Sequence, residues 1–379
     1  MECDRKNRIK RLRHIQAVCR VGEEIIRMSK ERKERERAFF ENGSMLLEKL
    51  IAFCNGKSIP IRNFSNEELK QATNNYDDSL VIVEDELCWK WYKGSFEGRI
   101  VSIKKFEGGV HITEGRELSN YVINDVVISA KMSAHNNVLK IIGCCLETRP
   151  PTLVHEFAVN GTLANRIQGS SGTSRQQHQP LEWASRLKIA REIAYAISYL
   201  HTAFSRPIIH RDINMRNIFL DENDVAKLSN FEFSISVPEG ETHVQVDYLS
   251  WCIGYMSPEY FAMGKVTEKV DVYSFGALLL ELITGQSSYD FTQLNNGECV
   301  NLSEDKKECV ELVVCMQNGV QGRCIVDPTI LTGKERVGIK QQLQAVVDLA
   351  FTCRKRDSEI RPTMVDVTKE LMRIERFVK

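Results

Sequence analysis

With 379 residues, 42% of them hydrophobic and 27% charged, the chain can bury one large core or two modest ones and lacks a disordered composition. Lysine plus arginine equals aspartate plus glutamate at 51 each, which removes any whole-chain argument for nucleic acid or an anionic membrane as a partner. The charge is unevenly placed: the first 40 residues hold 13 basic and 7 acidic side chains, so a basic arm precedes an acidic body.

Arg5, Lys6, Arg8, Lys10 and Arg11 occupy the place where a secretory signal carries its apolar core, so the twelve cysteines read as reduced thiols. None of them forms a C-x-x-C pair and Cys144 adjoins Cys145, so no metal site is expected. The chain has no apolar run of about 18 residues, and Glu2 stands where myristoylation requires glycine, so no intrinsic membrane anchor is expected.

Residues 1–40 read as a flexible, solvated arm: Ile9, Leu12, Ile15 and Cys19 have helical spacing, but the stretch from Lys30 to Arg37 offers no core face. Residues 41–75 read as a helical extension. Its first helix is predicted to be capped by Ser44 and to run through Met45, Leu46, Leu47, Leu50, Ile51 and Phe53 to a stop at Asn55 and Gly56. That apolar surplus marks Leu47 and Leu50 as candidate partner-binding residues. A second helix opens at Ser65, with Glu68 at capping-box spacing and Leu69 and Ala72 turned inward. Alternating and apolar segments over 76–157 predict a small sheet-rich lobe, and long helical patterns over 158–379 a larger helical one. The polar stretch 168–180 reads as a mobile loop between elements. The fold class is α+β and bilobal.

The segment "IIHRDINMRNIFLD", residues 208–221, resembles the protein-kinase catalytic loop H-R-D-x-x-x-x-N, with Asp212 and Asn217 at the matching separation. Six further segments occur in kinase order. "VSIKKF" places Lys104 like the lysine of the third strand; "TLVHEF" puts His155 at the gatekeeper position; "LSNFEFS" stands where D-F-G belongs. "GYMSPEY" resembles A-P-E, "DVYSFG" the buried helix below the catalytic loop, and "RPTM" carries Arg361. The resemblance runs over residues 76–375. It implies structural roles for His210 and Arg211 in the catalytic loop, for Asp271 as acceptor of that loop's backbone hydrogens, and for Glu259 paired with Arg361. Asp125 is the expected helix partner of Lys104, one methylene shorter than the usual glutamate.

Phosphoryl transfer needs phosphates cradled, metal ions held and charge neutralised in fixed geometry. Counting back from "WYKG", which resembles V-Y-K-G, the three loop glycines fall on Glu84, Glu86 and Trp89, two carboxylates that would repel phosphate and an indole that would fill its space. Asn230 replaces the D-F-G aspartate, a poor substitute for a carboxylate at magnesium, and Glu232 replaces the glycine of that turn. Asn214 removes the catalytic-loop lysine, and Cys252 replaces a threonine that steadies the catalytic aspartate. Lys104, Asp212 and Asn217 then read as vestigial: either a phosphate anchor, a base and a metal ligand, or buried polar groups kept by packing.

"FSNEELKQATNNYD", "YLHTAFSRPIIHRD" and "EKVDVYSFGALLLELITG" resemble plant receptor-like cytoplasmic kinases. From about residue 28 onward, "FFENGSMLLEKLIAFCNGKSIPIRNFS" with the degraded loop and N-F-E is similar to the HopZ-ETI-deficient-related, or ZRK, pseudokinases of subfamily XII. The resemblance implies an adaptor between a coiled-coil NLR immune receptor and pathogen effectors or effector-modified receptor-like cytoplasmic kinases. It also implies a cytoplasmic protein that partners recruit to the plasma membrane, with no cofactor and only weak ATP binding without a productive magnesium site. The residues ahead of Met28 are an addition to that pattern. Ser234, Ser236, Thr242 and Ser250 are expected to be exposed in the activation segment, as candidate effector targets or ordinary loop hydroxyls. A divergent active Ser/Thr kinase and a nucleotide-binding switch without transfer are the competing readings.

Overall fold

The computed structural model describes residues 2–54, 61–84, 89–108, 115–169, 180–246, 254–287, 326–331 and 336–378. The first element corrects the expected arm and short helix: α1 is one helix, Glu2–Cys54. Its 53 residues correspond to about 80 Å of length at 1.5 Å per residue. Continuity through the charged stretch has a local cause, since Arg32 pairs with Glu36 at 3.0 Å and Arg37 with Glu41 at 2.9 Å, both at i,i+4 spacing. Ser44 therefore lies inside the helix, its hydroxyl 3.4 Å from the Glu48 carboxylate, and caps nothing. Contact with the body begins before residue 41 as well: Arg35 bonds Glu67 at 2.7 Å, and Ala38 is buried.

The second helix, α2 (Asn66–Ala72), opens with the predicted capping box between Ser65 and Glu68. Around it lies one six-stranded sheet made of β1 (Arg62–Asn63), β2 (Val81–Glu84), β3 (Trp89–Phe96), β4 (Arg99–Phe106), β5 (Ile141–Cys145) and β6 (Thr152–Glu156), in the order β1-β5-β6-β4-β3-β2. The helix α3 (Gly115–Lys131) packs between this sheet and α1, burying Val122, Ile123 and Val126 with Trp89, Ile141 and Leu153; Met45 and Leu46 of α1 close the cluster. Strand register decides what faces the interlobe cleft: Trp91 sits opposite Lys104, and Ser102 opposite His155.

The helical lobe comprises α4 (Leu163–Gln168), α5 (Trp183–Thr202), α6 (Pro258–Met263), α7 (Glu268–Thr284), α8 (Arg336–Cys353) and α9 (Met364–Glu375). Its core joins α5, α7, α8 and α9 through residues such as Leu187, Ile193, Phe275, Leu278, Val346 and Leu371. Cys144, Cys145 and Cys353 are buried free thiols, pushed up to about 12 by burial, and pack as small hydrophobes. No helix among the described residues is long and apolar enough to cross a membrane.

Candidate functional site

Lys104 lies on β4 with its side chain fully buried, and its ammonium group is engaged on every side that geometry resolves. It donates to Asn230 Oδ1 at 2.6 Å and to the Glu232 carboxylate in a direct ion pair. Asp125 Oδ2 on α3 lies 3.6 Å away, the long reach expected of an aspartate at that position. The Trp89 ring covers the cation at 4.6 Å and the Trp91 ring at 5.7 Å. Glu232 is buried, and burial raises its pKa against the opposing pull of Lys104. An ion pair this deep survives because each charge satisfies the other.

The catalytic loop closes on itself in a comparable way. Both oxygens of the Asp212 carboxylate accept from amides, Oδ1 from Asn214 Nδ2 at 2.9 Å and Oδ2 from Asn217 Nδ2 at 2.7 Å. Asn217 Oδ1 in turn accepts from Asn230 Nδ2 at 2.5 Å, so the two side chains at the metal-ligand positions are bonded to each other. Asn214 also caps the turn Met215–Asn217 by accepting from the amides of Arg216 and Asn217. Asn230 has φ 63°, a left-handed backbone that asparagine tolerates, while Glu232 does not occupy that region.

Beside Lys104 the two lobes also touch through aromatic rings. Trp91 from β3 meets Phe219, which follows the catalytic loop, at a centroid distance of 4.7 Å, and His155 at 5.3 Å; Leu139 and Ala158 complete the cluster. Two rings in contact leave no room between them for a third planar group. The His155 imidazole is pulled down to about 4 by burial, and among the described residues its Nδ1 has no hydrogen-bond partner.

Beneath the cleft, Asp271 at the start of α7 accepts from the backbone amides of His210 and Arg211, each at 2.8 Å, and from His201 Nε2 at 2.9 Å. Burial opposes ionisation of Asp271, but these donors hold its pKa below the usual carboxylate range. The Arg361 guanidinium forms a two-point pair with Glu259, at 2.6 and 2.8 Å. His210 Nε2 reaches the Ser229 carbonyl at 3.0 Å, and Arg211 donates to the Phe233 carbonyl and the Tyr260 hydroxyl.

A model of the protein tyrosine and serine/threonine kinase family matches residues 89–321. Three Arabidopsis thaliana proteins are similar over nearly the whole chain. "Serine/threonine-protein kinase ZRK1" is 41% identical over 92% of this chain and 95% of its own length. "Non-functional pseudokinase ZRK2" is 40% identical over 90% and 91%, and "Non-functional pseudokinase ZED1" 40% identical over 92% and 100%. The chain belongs to the ZRK branch of the protein-kinase family. Names in that branch run from kinase to non-functional pseudokinase, and this member has a kinase fold with its glycine loop, catalytic-loop lysine and D-F-G sequence all degraded.

The structure brings Lys104, Asp125, Asp212, Asn214, Asn217, Asn230 and Glu232 into one network, with Trp89 as its cover. It corrects other expectations. Glu84 is exposed at the end of β2 and pairs with Lys90 at 3.6 Å, beside Asp78 and Glu107, because strand alternation puts Lys90 on the face opposite Trp89 and Trp91. Glu232, read as the loss of a flexible glycine, acts through its carboxylate. Ser234 is buried, with its amide bonded to the Phe231 carbonyl, and Ser236 is half-buried opposite Ile208; Thr242 is exposed as expected. Glu86, Cys252 and Ser250 lie outside the described residues, as does most of 168–180. Trp91 and Phe219 were not expected at the site. The W-x-W alternation of β3 carried the signal, since residues two apart on a strand share a face.

His155 supplies a pH test. A neutral imidazole held near 4, against an ordinary 6.5, gives stability that is complete above the ordinary value and declines as pH falls through the window toward 4, because the unfolded chain takes up the proton first. Between pH 7 and 5, urea denaturation should show wild type losing on the order of 1–2 kcal/mol more than His155→Leu. Equal losses would contradict the assignment.

Proposed function

We propose that the protein is a pseudokinase adaptor in plant defence: α1 binds a coiled-coil NLR immune receptor, and the activation segment receives a pathogen effector or an effector-modified receptor-like cytoplasmic kinase. The single observation that carries the reading is the consumption of the cleft by its own side chains, with Lys104 spent on Glu232 and Trp91 seated on Phe219. A fold maintained around a closed cleft works through its surfaces. ATP then binds weakly if at all, and magnesium has no carboxylate at position 230 to hold it. The active-kinase and nucleotide-switch readings both require these contacts to open. The protein acts in the cytoplasm, recruited to the plasma membrane by its partners.

An unpartnered stripe on α1 supports the receptor assignment. Phe40, Leu47 and Ile51 are 73%, 59% and 57% exposed. Their spacing of seven and four places them on one helix face, while Ala38, Asn42, Met45 and Leu46 face the lobe. Leu50 is half-buried at the stripe's flank. Interface energy concentrates in a few anchors worth about 2 kcal/mol or more each. Leu47→Glu or Ile51→Glu is therefore expected to abolish co-precipitation with the receptor from plant tissue while leaving the melting temperature nearly unchanged, and Leu50→Glu to weaken binding with some loss of stability. Folded Leu47→Glu and Ile51→Glu proteins that still bind would place the receptor elsewhere.

A further inference from the structure

A buried amide joins the N-terminal helix to the degraded metal loop. Asn124 lies on α3, 6% exposed, and its Nδ2 reaches the carbonyls of Phe231, Glu232 and Ser234 at 3.1, 3.2 and 2.8 Å. Its remaining atom, Oδ1, accepts from Lys49 Nζ of α1 at 3.2 Å. One side chain thus takes a charged donor from α1 on one side and holds three backbone acceptors within residues 231–234 on the other. A carboxamide whose oxygen accepts from a cation is polarised and donates more strongly through its nitrogen, so the two contacts reinforce each other.

The surroundings make this a rigid path. Lys131 at the end of α3 donates to the Phe53 carbonyl at the end of α1 at 3.0 Å, and Asn42 of α1 donates to the carbonyls of Leu146 and Thr148 beyond β5. On the far side, α3 holds the start of the activation segment twice more: Asp125 Oδ1 accepts from the Phe231 amide at 3.1 Å, and the Tyr121 ring lies 5.5 Å from that of Phe233. Lys49 is partly withdrawn from water, and that burial lowers its pKa, as a lysine directed at the lobe rather than at solvent would show.

We propose that α1 is a clamp in cis on residues 231–237, and that Lys49 acting through Asn124 couples the seating of α1 to the order of the activation segment. The coupling is reciprocal: whatever seats α1 more firmly orders the segment, and whatever holds the segment ordered seats α1 by the same factor. This inference does not depend on which protein binds α1, so it stands or falls separately from the receptor assignment.

Hydrogen exchange on the full chain, followed by mass spectrometry, tests it without any partner. Lys49→Met keeps the apolar stem and removes the donor. Exchange of the peptide spanning 231–237 is expected to quicken roughly three- to tenfold, the size of one net hydrogen bond, with α5 and α7 unchanged. Lys33→Met, on the exposed face of α1, should change nothing there. If Lys49 works through Asn124, the double variant Lys49→Met/Asn124→Ser exchanges at the rate of Asn124→Ser alone. Unchanged exchange in Lys49→Met, a rise spread evenly over α5 and α7, or additive effects in the double variant would each overturn the clamp. Lys49→Met is decisive by itself should the Asn124 variant fail to fold.

Discussion

Arg361→Ala is expected to be among the most damaging single substitutions in the chain, lowering unfolding free energy by about 3–5 kcal/mol, because it removes one partner of a buried ion pair and leaves Glu259 charged and unmatched. The guanidinium is fully buried and also donates to the carbonyls of Lys355, Lys269 and Arg356, so several acceptors lose their donor together. Urea denaturation of wild type, Arg361→Ala and Glu259→Gln measures the effect. A loss below about 1 kcal/mol, the range of an exposed pair, would mean that the contact does not hold α6 to the base of the lobe.

Trp91→Ala should come next, at about 3–5 kcal/mol, the usual cost of deleting a large buried aromatic side chain. The same change separates two explanations for a closed cleft. If Trp91 on Phe219 is what excludes a planar ligand, removing the indole opens an apolar slot between Val83, Leu139, Ala158 and Phe219, and adenosine should raise the variant's melting temperature while leaving wild type unaffected. If adenosine stabilises neither protein, the Trp91–Phe219 contact is packing alone, and exclusion rests on the Lys104–Glu232 pair.

How much of this was legible in the sequence depends on the distance over which each feature acts. The capping box at Ser65, the catalytic loop from His210 to Asn217 and the roles of Asp271 and Arg361 could be read because short motifs at family spacing name both residue and neighbourhood. The closure of the cleft could not. Lys104 meets Glu232, and Trp91 meets Phe219, across well over a hundred residues, and no local pattern reports that a side chain at a vanished glycine will reach back to the lysine. Glu232 was identified by what was missing at its position rather than by what its carboxylate would touch. The α1 helix failed for a different reason: the stretch from Lys30 to Arg37 lacks an apolar face, which argued against a packed helix, while the Arg32–Glu36 and Arg37–Glu41 pairs that support it were present all along. Glu84 was placed over the phosphates by counting back to the glycines, but strand alternation sends it to Lys90.

Incubation of the purified full chain with magnesium and radiolabelled ATP, alone and with a generic protein acceptor, measures whether this kinase fold still transfers phosphate. With Lys104 held by Glu232, Asp212 held by Asn214 and Asn217, and no carboxylate at position 230, no label above background is expected on either protein. Robust labelling that disappears in Asp212→Ala would establish the chain as an active kinase.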